Sequence, residues 1–183
     1  RWAECLAIAG PMLATQPEGR LYAQLPFLVG DCEFRLEKWP EAIKSLQEFV
    51  TPRLESEKGR AEPNVDTALM QLAVAHDRLD QKAEALKALA TLVNDLPGSS
   101  PQLPLALAEQ GRLAFEGGDR KLARKALEKF IALDAADTEP FKNGAPAQRP
   151  RVMYYLGWIE ADEGNHEAAS QRFGEVLKLD PNS

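Results

Sequence analysis

Two cysteines, two histidines and an aromatic share of only 7% leave little material for several kinds of chemistry. Cys5 and Cys32 are too few for a disulfide framework or a structural zinc site, and no CxxC occurs. Two buried apolar thiols are the plainer reading of the pair, a disulfide the other. His76 and His166 lie far apart without flanking ligands, so no metal site is expected. Gly117-Gly118 lacks the strand and lysine of a phosphate loop, and no serine or cysteine sits in a nucleophile motif. The acidic tracts Glu160–Glu163 and Leu133–Asp137 read as solvated helix faces and ends. Neither an enzyme nor a cofactor is expected. Charge of one sign is also wanting: 22 basic against 28 acidic residues give −6, without a basic cluster to attract nucleic acid. No apolar run approaches the length of a membrane span, so no membrane insertion is expected.

What is present is helical material. With 44% hydrophobic and 27% charged residues, 183 residues can bury a core as one domain or as a short repeat array. Alanine and leucine dominate the periodic segments, which favours helix. The clearest unit is the last 34 residues, Pro150–Ser183, which Gly164-Asn165 divides into two amphipathic halves. Gly157 sits in the first half and Ala169 in the second, and Leu179-Asp180-Pro181 closes the unit.

Earlier segments follow the same plan. Residues 1–16 read as the second helix of a half-unit, with Pro11 expected to kink it after Ala9. Because the chain opens at Arg1 and already within a helical pattern, a fragment or processed form is expected. After a turn at Pro17-Glu-Gly come paired helices at 21–37 and 39–50, then 64–79 and 81–96, then 105–116 and 119–134. Pro26 suggests that the first of these becomes regular only near it. Residues 51–63 read as a loop or a frayed helix end and 135–147 as a loop, the longest interruption, because each carries prolines and a glycine.

Two internal tests bind these segments together. From the small residue of each first helix to the alanine of each second helix, the steps Gly30→Ala42, Ala73→Ala85, Gly111→Ala123 and Gly157→Ala169 are all twelve residues. The intervals between successive alanines vary, at 43, 38 and 46. A fixed spacing inside each unit with variable loops between units is what a repeated close contact between two helices produces. Four, seven and eight residues after each alanine stand Leu46, Phe49, Val50; Leu89, Leu92, Val93; Leu127, Phe130, Ile131; and Phe173, Val176, Leu177, all apolar. They predict one buried face per second helix.

The pattern resembles the tetratricopeptide repeat (TPR), with full repeats at about 21–50, 64–96, 105–134 and 150–183 after the half-repeat 1–16. The resemblance implies an all-α fold: a right-handed superhelical solenoid of antiparallel helix pairs, about nine helices in a single repeat domain over 1–183. Where such repeats carry a bulky residue, three positions after the small one, this chain has Glu33, His76, Ala114 and Glu160, and Gln110 replaces the usual leucine before Gly111. The long intervals are similar to those of TPR proteins of the bacterial cell envelope, and that likeness favours a periplasmic or envelope location over the cytoplasm.

The family likeness further implies a concave groove lined by the residues three before, one after and four after each small residue. These are Phe27, Asp31, Phe34; Met70, Val74, Asp77; Ala108, Arg112, Phe115; and Tyr154, Trp158, Ala161, with Arg35, Arg78 and Arg151 on the flank. Function is then expected to be non-catalytic: aromatic anchors and arginines holding a peptide or protein segment. Packing against the neighbouring unit is the competing role for the same rings. Two further expectations stand beside the scaffold: self-association through uncapped solenoid ends, giving a homo-oligomer, and service as the regulatory domain of a larger protein.

Overall fold

A computed structural model describes residues 1–15, 19 and 22–179, and the described residues form ten helices and no strand. The expected turn at Pro17, the helix start at Leu21 and the closing residues Asp180–Ser183 lie outside them. The chain divides into two compact units, Arg1–Pro97 and Gly98–Ser183.

The first unit contains α1 (Trp2–Ala14), α2 (Leu25–Arg35), α3 (Trp39–Leu54), the single turn α4 (Glu57–Arg60), α5 (Val65–Arg78) and α6 (Lys82–Asp95). Helices α2 and α3 form one hairpin and α5 and α6 another, with α1 packed on α2 and α3 on α5. The second unit contains α7 (Leu103–Glu116), α8 (Arg120–Ala135), α9 (Glu139–Asp162) and α10 (His166–Leu179). Here α7 pairs with α8 and α9 with α10, and α9 also lies on α7 and α8.

The fixed spacing has a direct physical cause. A methyl group added at Gly30 would lie 2.8 Å from the side chain of Leu46, and at Gly111 2.3 Å from that of Leu127. At Gly157 it would meet the Phe173 ring at 2.7 Å. The partner is each time the residue four after the repeat's alanine, so the missing side chain lets the second helix seat a large apolar residue on the first. Nine of the twelve residues predicted for the buried faces are buried; Ile131 and Phe173 are half-buried and Leu177 is exposed.

One turn joins every pair. Glu37, Asp80, Gly118 and Gly164, each seven residues after its small residue, have φ of 58°, 57°, 85° and 81°. The next amide donates back over the turn in all four: Lys38 to Glu33 O, Gln81 to His76 O, Asp119 to Ala114 O and Asn165 to Glu160 O, at 2.9, 2.9, 2.9 and 2.8 Å. This six-to-one bond closes the end of the first helix and sets the reversal. Glycine holds the left-handed position in two copies, and an acidic residue bears the strain in the other two.

The stretch 51–63, expected as a loop or a frayed helix end, and the expected loop 135–147 are both largely helical. Helix α3 runs on through Pro52 to Leu54, and α4 follows before α5 begins. Arg53 secures this corner by stacking 3.8 Å over Phe49, pairing with Glu62 at 2.9 Å and donating to Ala23 O at 2.7 Å. The expected interruption 135–147 is the larger correction, because α9 already starts at Glu139 and carries Pro146 and Pro150 inside its 24 residues. Buried Phe141 and Ala145 hold its early turns, the Phe141 ring lies 5.2 Å from Phe130, and Gly144 sits against Pro104. Tertiary burial outweighs the amide hydrogen bonds that the two prolines cannot make.

Candidate partner-binding face

In the first unit the expected groove residues are largely committed to contacts within the protein. The Asp31 carboxylate accepts from Arg35 Nε at 3.0 and 3.1 Å and from Gln71 Nε2 of α5 at 2.6 Å. Arg35 also lies 4.5 Å over the Trp2 ring. Phe27 packs on Phe49 at 5.3 Å between ring centroids, and Phe34 on Trp39 at 5.4 Å. Met70 is buried, Val74 and Asp77 are half-buried, and Arg78 is exposed.

In the second unit, the face of α7 lies under α9. Ala108 is fully buried, and Arg112 bridges Glu109 and Glu116 at 2.8 Å each. From α9, Arg151 pairs with Glu109, and the Tyr155 hydroxyl donates to Glu116 at 3.0 Å. Burial first, then the hydrogen bond to Glu116, push the Tyr155 phenol up from 10.0 to about 12. Phe115 is held between the Tyr155 ring, 5.2 Å away, and the Arg120 guanidinium, 3.7 Å away.

Tyr154 and Trp158 occupy in α9 the positions that Ala108 and Arg112 occupy in α7, yet they remain 44% and 43% exposed. Their rings touch edge to face at 6.2 Å, and both rest on Phe173 of α10, at 6.2 and 5.7 Å. Tyr155 extends the group, its ring 5.4 Å from Tyr154. Ala161, at the third groove position of this repeat, is half-buried. The structure thus gathers two of the expected groove residues into one exposed aromatic face, whereas Phe27, Phe34 and Phe115 are half-buried against rings of the same unit. Phe173, predicted on the apolar face of the last helix, is half-buried beneath these rings, and Tyr155 is not among the predicted groove residues. The Tyr154-Tyr155 pair and the seat of Phe173 on Gly157 were the available signals.

The polar residues at the usual bulky position are answered from the second helix or the turn. Ser45 donates to Glu33 at 2.7 Å, His76 Nδ1 stands 2.7 Å from Gln81 Oε1, and Arg172 Nε lies 3.5 Å from buried Glu160. Nor are the acidic tracts merely solvated: Asp134 is gripped by Arg149, Asp162 by Arg120 and Glu163 by Arg124. Those carboxylates hold the Arg149 and Arg124 guanidinia above their ordinary range. Among the described residues, no three or more His, Cys, Asp or Glu side chains gather closely enough to hold a metal ion, and no helix is long and apolar enough to cross a membrane.

Two family models, both described as tetratricopeptide repeat, match residues 67–99 and 108–183, together more than half of the chain. The crystal structure of MamA is similar with a TM-score of 0.72 and 18% identity, over 98% of this chain and 89% of that one. The nearly identical TPR-like repeats of a Podosopora anserina protein, described as a kinesin light chain, superpose with a TM-score of 0.70 and 17% identity, over 97% and 86%. No curated protein matches the sequence significantly. A fold of this kind is in general a protein–protein interaction scaffold. The described residues are all-α, built from repeated antiparallel helix pairs, and the chain belongs to the tetratricopeptide-repeat family.

Proposed function

We propose that this protein holds a segment of a partner protein on the aromatic face of α9 and α10, with Tyr154 and Trp158 as its anchors. The observation that carries the reading is their exposure of 44% and 43% while both rings are braced on Phe173. Large, rigid, half-wet rings bury much area on contact and lose little freedom, the property that makes aromatic residues dominant anchors at interfaces. A partner segment with apolar side chains at helical or extended spacing fits this face, its backbone polar groups meeting water at the rim.

Peptides selected from a displayed random library on the immobilised full chain test the proposal. Tyr154→Ala with Trp158→Ala is expected to weaken their binding by roughly tenfold to hundredfold, as loss of two anchor side chains does. Circular dichroism is expected to show unchanged helicity. Wild-type affinity in the double variant would remove Tyr154 and Trp158 from the site.

A further inference from the structure

Helices α1 and α2 lie against each other in an antiparallel register that can be read from their contacts. At one end the Arg35 guanidinium stands 4.5 Å over the Trp2 ring. At the other, buried Ala9 packs with Leu25 and Val29, joined by Leu6 and Leu13. Advancing three residues along α1 from Trp2 and retreating three along α2 from Arg35 reaches Cys5 and Cys32. That register sets the two thiols opposite each other across the helix pair. Cys32 is completely buried, whereas Cys5 is half-exposed.

We propose that Cys5 and Cys32 form an intramolecular disulfide that staples α1 to α2, with a low-molecular-weight disulfide such as oxidised glutathione as the oxidant. The Cys5 thiolate, on the accessible helix, attacks one sulfur of the oxidant and expels one glutathione thiolate, leaving a mixed disulfide on Cys5. Cys32 gives its proton to water, attacks the Cys5 sulfur and expels the second glutathione. Two protein thiols are oxidised, one small disulfide is reduced to two thiols, and the balance closes. Burial and then the Cys5 thiol beside it push the Cys32 thiol up to about 12, which assigns the first attack to Cys5 and makes the closing step slow. The staple fixes α1 over the apolar face of α2 that includes Leu25 and Val29. The reduced protein holds α1 by packing alone, so α1 is the element whose opening the redox state controls.

Equilibrating the full chain in glutathione buffers of rising oxidised fraction, followed by non-reducing peptide mapping and hydrogen exchange, tests this. The expected result is a Cys5–Cys32 cross-linked peptide from monomeric protein, with α1 amides exchanging roughly a hundredfold more slowly, as a closed loop of this length implies. Cys5→Ser, at the half-exposed and therefore tolerant position, is expected to lose both the link and the protection. A glutathione adduct on Cys5 without the link, cross-linked dimers alone, or untouched thiols in oxidising buffer would each overturn the proposal. So would a link that leaves α1 exchange unchanged.

Discussion

The hairpins α7–α8 and α9–α10 share one register and differ in what lies on them. Both place a glycine under the large residue sixteen positions later, Gly111 under Leu127 and Gly157 under Phe173. In the first, Leu127 is fully buried and α9 covers the outer face through Arg151, on Glu109, and Tyr155, on Glu116 and Phe115. In the second, Phe173 is half-buried, Leu177 and Leu179 are 59% and 47% exposed, and Tyr154 and Trp158 stand where Ala108 and Arg112 are covered. The same positional code therefore yields packing residues in one repeat and an open aromatic face in the next. In a repeat protein, a residue's role is decided by its neighbour as much as by its position.

The glycines give the largest test of this difference. At Gly111 an added methyl would lie 2.3 and 2.5 Å from Leu127 carbons that have nowhere to go, so Gly111→Ala is expected to destabilise by about 2 kcal/mol after the helix-propensity gain is counted. The clash at Gly157 is with a half-exposed ring that can tilt outward, and Gly157→Ala is expected within about 1 kcal/mol of neutral. Gly174, in α10 with nothing within 4 Å of a new methyl, is expected to gain up to about 1 kcal/mol as alanine. Urea unfolding of the three variants checks the order. Equal losses at Gly111 and Gly157 would erase the contrast between a covered and an open hairpin.

A smaller test exchanges one hairpin's interior for the other's. Three residues after the small residue and three after the alanine, α7–α8 has Ala114 and Ala126, both buried, whereas α9–α10 has Glu160 and Arg172. Glu160 Oε1 faces Arg172 at 3.5 Å, and its Oε2 is buried without a hydrogen-bond partner. Arg172→Ala removes the countercharge of a buried carboxylate and is expected to cost about 1–2 kcal/mol, less than a fully buried pair because the arginine is partly exposed. Adding Glu160→Ala recreates the interior of α7–α8 and is expected to restore part of that loss, a positive coupling that a double-mutant cycle measures.

The fold was legible because its defining contact is local and repeated. The interval from Gly30 to Ala42, and its three copies, reflects a steric fact that leaves a trace in one dimension. The turns were half legible: Gly118 and Gly164 announce left-handed backbone, but Glu37 and Asp80 hold the same conformation without a glycine to mark it. The start of α9 was hidden, because Pro146 and Pro150 argue for a break and only the burial of Phe141 and Ala145 overrules them. The aromatic face proposed for binding was legible least. Phe27 and Tyr154 hold equivalent positions and each rests on a phenylalanine of its own hairpin, yet Phe27 is half-buried and Tyr154 44% exposed, a difference that position in the repeat does not encode.

The smallest effect is expected at Tyr155, which sits where α7 has Glu109 and joins α9 to the covered hairpin through Glu116. Its phenol ionises at about 12 in the folded chain against an ordinary 10.0, chiefly because burial and the Glu116 carboxylate both oppose the phenolate. A group whose folded pKa is raised stabilises the fold fully below the unfolded value and loses that contribution as pH climbs through the folded one. Stability is therefore expected to fall between pH 10 and about 12 in the wild type, and Tyr155→Phe is expected to flatten that part of the decline. At neutral pH the same substitution removes one partly exposed hydrogen bond to a carboxylate, a loss of about 0.5–1 kcal/mol. Thermal melts across the alkaline range, read beside the phenolate absorbance, separate the two contributions. An unchanged alkaline slope in Tyr155→Phe would mean that neither burial nor Glu116 raises this phenol, and that α9 covers α7 without holding the hydroxyl.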